Sequence, residues 1–76
     1  MIEELDVVAL TESLPEHNLA VGEEGTIVLV YGDHEAYEVE FMEGDTWYTK
    51  ALVTLKPDKV RLTWKASPVP HTVTAD

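Results

Sequence analysis

Three observations predict an all-β fold for this chain of 76 residues. Tyr37, Val39 and Phe41 alternate with Glu38 and Glu40, the period-2 pattern of a half-buried strand. The run Thr26-Ile27-Val28-Leu29-Val30-Tyr31 is rich in β-branched residues, which suit a pleated surface. Gly, Pro, Asn and Asp cluster between such runs, and no stretch carries a helical apolar stripe.

Taken in order, the elements are five short strands. Leu5 to Leu10 is the first. Thr11 to Glu24 then forms a long loop containing Leu14-Pro15-Glu16-His17, whose proline and polar residues break a helix while Leu14 and Leu19 tuck beneath the sheet. Gly22 and Gly25 are assigned to a tight turn that needs positive φ. Strand two, Thr26 to Tyr31, is joined to strand three, Tyr37 to Phe41, by the four-residue loop Gly32-Asp33-His34-Glu35. The Glu43-Gly44-Asp45 turn leads into strand four, Trp47 to Leu55, and Lys56-Pro57-Asp58 opens strand five, Val60 to Trp64. Tyr37 and Phe41 are assigned to the core, Trp64 to the core or to packing under the tail, and Trp47 to a partly exposed position after its turn.

This order describes a small five-stranded SH3-like barrel over residues 1–64, with closure expected to remove most sheet edges. Residues 65–76, with two prolines and no aromatic residue, read as an extended C-terminal tail. The length allows one domain with a small core and little room for a deep cleft, which argues against an enzyme. The chain has no cysteine, hence no disulfide framework or thiolate zinc site. No apolar run approaches the roughly 20 residues of a helical membrane span, and the acidic start is unlike a signal peptide. A cytoplasmic protein without a membrane partner is expected.

Charge is sharply partitioned. Fifteen acids and five bases give a net charge of −10, with 13 acids and no base before position 50, and five bases against two acids from there on, or −13 and +3. Glu12, Glu16, Glu23, Glu24, Asp33 and Glu35 lie in loops flanking strand two, where they create a negative field. Such a field repels phosphate backbones and attracts basic partners.

Catalytic signals are absent. Asp33-His34-Glu35 offers three consecutive metal-ligating types, yet neighbouring residues on an extended loop point to alternate sides, so no metal site is expected. Glu38 and Glu40 lie on a solvated strand face, without the apolar pocket that tunes an acid–base pair. Gly-x-Ser-x-Gly is missing, and Gly22-Glu23-Glu24-Gly25 sets two acids where a phosphate loop needs bare amides. No cofactor is implied.

Glu4 to Thr11, Leu14-Pro15-Glu16-His17, Gly22 to Val28 and Tyr37 to Phe41, with Ala51 to Leu55 and Val60-Arg61 after them, resemble a family of small bacterial proteins called domain of unknown function 4926. The resemblance spans about residues 2–62 and departs from the family pattern at Asp45 to Lys50 and after Trp64. It implies an SH3-like barrel in a bacterial cytoplasm, with no catalytic residues and an accessory or antitoxin-like role beside another small protein.

The function expected is a non-catalytic protein–protein interaction module. It binds through the aromatic residues near Trp47 and the acidic loop surface that includes Asp33 and Glu35, with Tyr48 and Glu23 or Glu24 as rim contacts, to a basic protein surface or a second copy in a homo-oligomer. The alternative is a KOW-like nucleic-acid-binding module using Lys50, Lys56, Lys59, Arg61 and Lys65 as a basic stripe, which the net charge disfavours.

Overall fold

The computed structural model describes residues 1–44, 46 and 48–66. Trp47 and most of the tail, 67–76, lie outside the described residues. The strands are β1 (Val7–Leu10), β2 (Glu24–Tyr31), β3 (Ala36–Met42), β4 (Thr49–Leu55) and β5 (Val60–Trp64), with single 3₁₀ turns at Pro15–His17 and Pro57–Lys59. All pairings are antiparallel and the sheet order is β4-β3-β2-β1-β5. The protein is all-β in the strand order of an SH3-like barrel.

β2 is the hinge of this arrangement. Its first residues, Glu24 to Thr26, pair with β1, while Thr26 to Tyr31 pair with β3. The register shifts between Ile27 and Leu29, so Val28 stands unpaired in a bulge that bends the strand and carries the sheet around the core. The closure expected from the sequence is not completed by hydrogen bonds, and β4 and β5 remain the two edges among the described residues. The reason lies in Lys56–Lys59. Pro57 starts a 3₁₀ turn instead of a hairpin, and the chain passes to β1, where Thr11 N–H donates to Lys59 O at 2.9 Å. Val53 and Leu55 of β4 and Val60 of β5 nevertheless belong to one hydrophobic core.

That core follows the strand alternation. Ile27, Val39 and Val53 form one cross-strand row, Val30, Tyr37 and Leu55 another, and Phe41 faces Ala51. Val8 and Leu10 of β1 and Leu19 of the long loop are buried in the same cluster. Burying side chains of this size stabilises by about 1.5–3 kcal/mol each.

Two assignments from the sequence change. Gly22 has φ +87°, as a turn requires, but Gly25 has no positive φ and lies buried inside β2. A Cβ there would lie 2.8 Å from Phe41 Cε1 and 2.9 Å from Glu40 O, so Gly25 is a packing glycine that lets β3 approach. Trp64 is 57% exposed, not in the core, because β5 is an edge and only Val60 of its five residues is buried.

A buried carboxylate joins the two ends of the barrel. Asp6 is 1% exposed; its Oδ2 accepts from Glu3 N–H at 2.8 Å and Lys65 Nζ at 2.7 Å, and its Oδ1 from Ala66 N–H at 2.8 Å. Burial is the largest single influence on this carboxyl and pushes its pKa up. The hydrogen bonds from Lys65, Glu3 and Ala66 and the lysine charge outweigh it and hold the group below the ordinary aspartate range. The first two tail residues are thereby fixed to the start of β1.

Candidate functional site

The long loop between β1 and β2 is built as a rigid wall. Leu14 and Leu19 exchange backbone hydrogen bonds across the Pro15–His17 turn, which Asn18 ends at φ 59°, a conformation asparagine tolerates. Buried Leu19 anchors the loop to the core. Ser13 Oγ accepts from Val21 N–H at 3.2 Å, Glu23 Oε1 from Ala20 N–H at 3.1 Å, and Gly22 N–H donates to Leu10 O at 2.9 Å.

Opposite this wall stands the start of β4. Lys50 Nζ lies 3.3 Å from Glu23 Oε2 and bridges strand and loop. Between them runs an open groove of about 450 Å³, lined by Ser13, Pro15, Asn18, Leu19 and Ala20 of the loop and by the Glu23–Lys50 pair. Its lining is mixed, with Ser13, Asn18, Glu23 and Lys50 polar and Pro15, Leu19 and Ala20 apolar, and an open surface of this size has room for a side chain or short segment of a ligand. The Ala20 amide is the chief cause that holds the Glu23 carboxyl below its usual range; partial burial opposes it and Lys50 reinforces it. Glu23 is therefore an anion fixed in place.

Tyr48 stands two residues before Lys50. Its backbone is held by the β3–β4 connection, with Glu43 N–H donating to Tyr48 O at 2.8 Å and Tyr48 N–H to Thr46 Oγ1 at 3.1 Å, while the residue is 75% exposed. An aromatic side chain displayed on a pinned backbone loses little further freedom on binding.

The structure divides the acidic residues expected to act together. Glu23 and Glu24 lie at the start of β2, the end of the sheet that also carries Tyr48. Asp33 and Glu35 occupy the β2–β3 hairpin at the other end, about 20–25 Å away along β2. There His34 Nε2 contacts Glu3 Oε2 at 3.2 Å. Among the described residues no three metal-ligating side chains converge.

Nor are the five basic residues an open stripe. Lys50 pairs with Glu23, Lys59 with Glu12 at 2.7 Å and Lys65 with Asp6 at 2.7 Å, so each ties the C-terminal half to an acid of the N-terminal half. Glu12 holds the Lys59 ammonium above its usual range. Lys56 and Arg61 make no ion pair among the described residues.

Sequence reasoning missed most of the groove. Ser13, Asn18 and Ala20 carry no chemical signature, and Lys50 read as part of a basic set and not as the partner of Glu23. The available signal was the Leu14/Leu19 pair bracketing a proline turn, which marks a loop folded back on the core.

The profile of a family described as Domain of unknown function (DUF4926) matches residues 4–62. The chain belongs to this family. The DUF4926 match takes in Tyr48, every groove residue and Asp6, but it stops before Lys65 and Ala66, which hold Asp6 from the C-terminal side. No curated protein and no solved structure matched the chain.

Proposed function

We propose that this DUF4926 protein is a non-catalytic interaction module that grips a segment of a basic protein partner in the groove between the Thr11–Glu23 loop and β4. The observation that carries this reading is the groove itself, with Tyr48, an exposed aromatic residue on a hydrogen-bonded backbone, two positions before the groove residue Lys50 in sequence. Pro15 and Ala20 supply apolar contact, and Ser13, Asn18 and the Glu23–Lys50 pair supply polar contacts that fix orientation. The net charge of −10 draws in cationic partners and speeds encounter. An accessory or antitoxin-like role beside a small cytoplasmic bacterial partner is consistent with this chemistry.

Selection of a displayed peptide library against the protein tests the reading. Selected peptides are expected to combine Lys or Arg with apolar residues, to lose affinity as salt rises, and to bind Tyr48→Ala at least about fivefold more weakly, as truncation of an aromatic anchor does. Equal binding to wild type and a folded Tyr48→Ala variant would overturn it.

A further inference from the structure

The outward side of β2, β3 and β4 carries an organised arrangement that alternation alone does not reveal. Cross-strand pairing sets two rows over it, Leu29–Glu38–Thr54 and Thr26–Glu40–Leu52. Glu38 Oε1 accepts from Tyr31 OH at 3.0 Å and from Thr54 Oγ1 at 2.6 Å, and Glu40 Oε2 accepts from Thr49 Oγ1 at 2.5 Å. Hydroxyl groups thus orient each carboxylate through one oxygen. Among the described residues the other oxygen of each accepts no hydrogen bond, and no cation pairs with either glutamate. The fold gives cations to Asp6, Glu12 and Glu23, yet among the described residues none to these two mid-sheet carboxylates.

Uncovered apolar side chains flank them. Leu52 is 56%, Leu29 41% and Tyr31 40% exposed, and the first two sit directly across from Glu40 and Glu38. Two residues apart on one strand, the glutamates share a face at a spacing of about 7 Å. That spacing equals the repeat of alternate side chains on an extended chain.

We propose that this face docks a cationic strand of a partner protein, one presenting Lys or Arg at alternate positions so that their charged ends meet Glu38 and Glu40 while their aliphatic stems cover Leu29 and Leu52. Charge complementarity selects this occupant. A second copy laid face to face would bring Glu38 and Glu40 against their own like charges, and a nucleic acid would bring phosphates to them. The proposal goes beyond the groove reading and stands or falls separately from it.

The test is an NMR titration of the isotope-labelled full chain with two short synthetic peptides of identical composition, one alternating lysine and threonine, the other with its lysines grouped at one end. The alternating peptide is expected to produce saturable shifts at Leu29, Glu38, Glu40 and Leu52 and to bind at least about threefold more tightly. The double variant Glu38→Gln/Glu40→Gln is expected to bind about tenfold more weakly, and Leu52→Ser, at an exposed position, about threefold, each with unchanged circular dichroism. If the double variant does not fold, Leu52→Ser decides. Shifts confined to the groove residues would leave the groove reading intact and overturn this one. It also fails if shifts are spread evenly over Glu12, Glu24 and Asp33, if there are none, or if the variants bind as well as wild type. Concentration-dependent shifts of the same face without peptide would assign it to a second copy and likewise overturn the proposal.

Discussion

Replacing Asp6 with asparagine changes one oxygen to an amide at a site where three donors converge. Wild-type Asp6 accepts from two backbone amides and Lys65 at 2.7–2.8 Å while 1% exposed. Asparagine keeps one acceptor and turns a donor toward the others. Each lost hydrogen bond to a charged group removes about 1.5–3 kcal/mol. Lys65 is 45% exposed on its side chain and recovers hydration, so its share falls toward the surface-pair range of about 0–1 kcal/mol. A destabilisation of roughly 3 kcal/mol follows, against a total near 4–11 kcal/mol for a chain of this length. At about 4–8 °C per kcal/mol, Tm falls by roughly 12–24 °C. Urea unfolding followed by tryptophan fluorescence and circular dichroism measures the difference directly, with Lys65→Met as the milder control. Because the folded pKa of Asp6 lies below its unfolded value of about 4, the unfolded chain binds more protons between the two. Stability from this group is complete above about pH 4 and is lost as pH falls through the folded value, so the wild-type and Asp6→Asn curves converge in acid. A loss below about 0.5 kcal/mol at pH 7, or a gap that widens in acid, would refute the reasoning.

Further outcomes follow from the packing and the loop wall. Gly25→Ala forces a Cβ to within 2.9 Å of Glu40 O, and overpacking of this kind lowers stability by about 1–3 kcal/mol, read as a lower urea midpoint; an unchanged midpoint contradicts the close approach. Phe41→Ala empties the centre of a core where Phe41 is fully buried and removes about 3–5 kcal/mol, leaving the chain close to unfolded at 37 °C by circular dichroism. Glu23→Ala deprives the Ala20 amide of its acceptor, so hydrogen exchange at Ala20 quickens while β3 amides keep their protection. In wild type the same amide quickens as pH falls through the lowered folded value of Glu23, below the ordinary glutamate range, after correction for intrinsic exchange, because protonation of Glu23 weakens its hold on Ala20 and Lys50.

The strands were legible because burial on a bent sheet imposes period 2. Tyr37, Val39 and Phe41 are buried where alternation places them, and β3 extends one residue beyond this run at each end. The four-residue hairpin Gly32–Glu35 was legible from its turn chemistry, with Gly32 at φ 58° and His34 at φ 62°. What could not be read depends on contacts distant in sequence. Gly25 looks like a turn residue until Phe41 is set beside it. Asp6 looks like a polar residue in a strand until Lys65, 59 positions away, reaches it. Trp64 looks like core until β5 is found at an edge, since period alone does not say whether a strand has neighbours on both sides. For the site, the sequence marks Tyr48 only as a rim contact near Trp47, and the groove arises from a loop folding back through Leu19, a tertiary event with only a faint local signature.

The central claim, that a protein partner is held in the groove and touches Tyr48, is tested most directly by site-specific photo-cross-linking in cells of the native host. A photoreactive phenylalanine derivative is placed at position 48 and, as the control, at position 33 on the opposite end of the sheet. The account predicts a discrete cross-linked protein species from position 48 and none from position 33, with mass spectrometry identifying a basic partner. Equal labelling from both positions, or no protein adduct from position 48 in the folded variant, would contradict it.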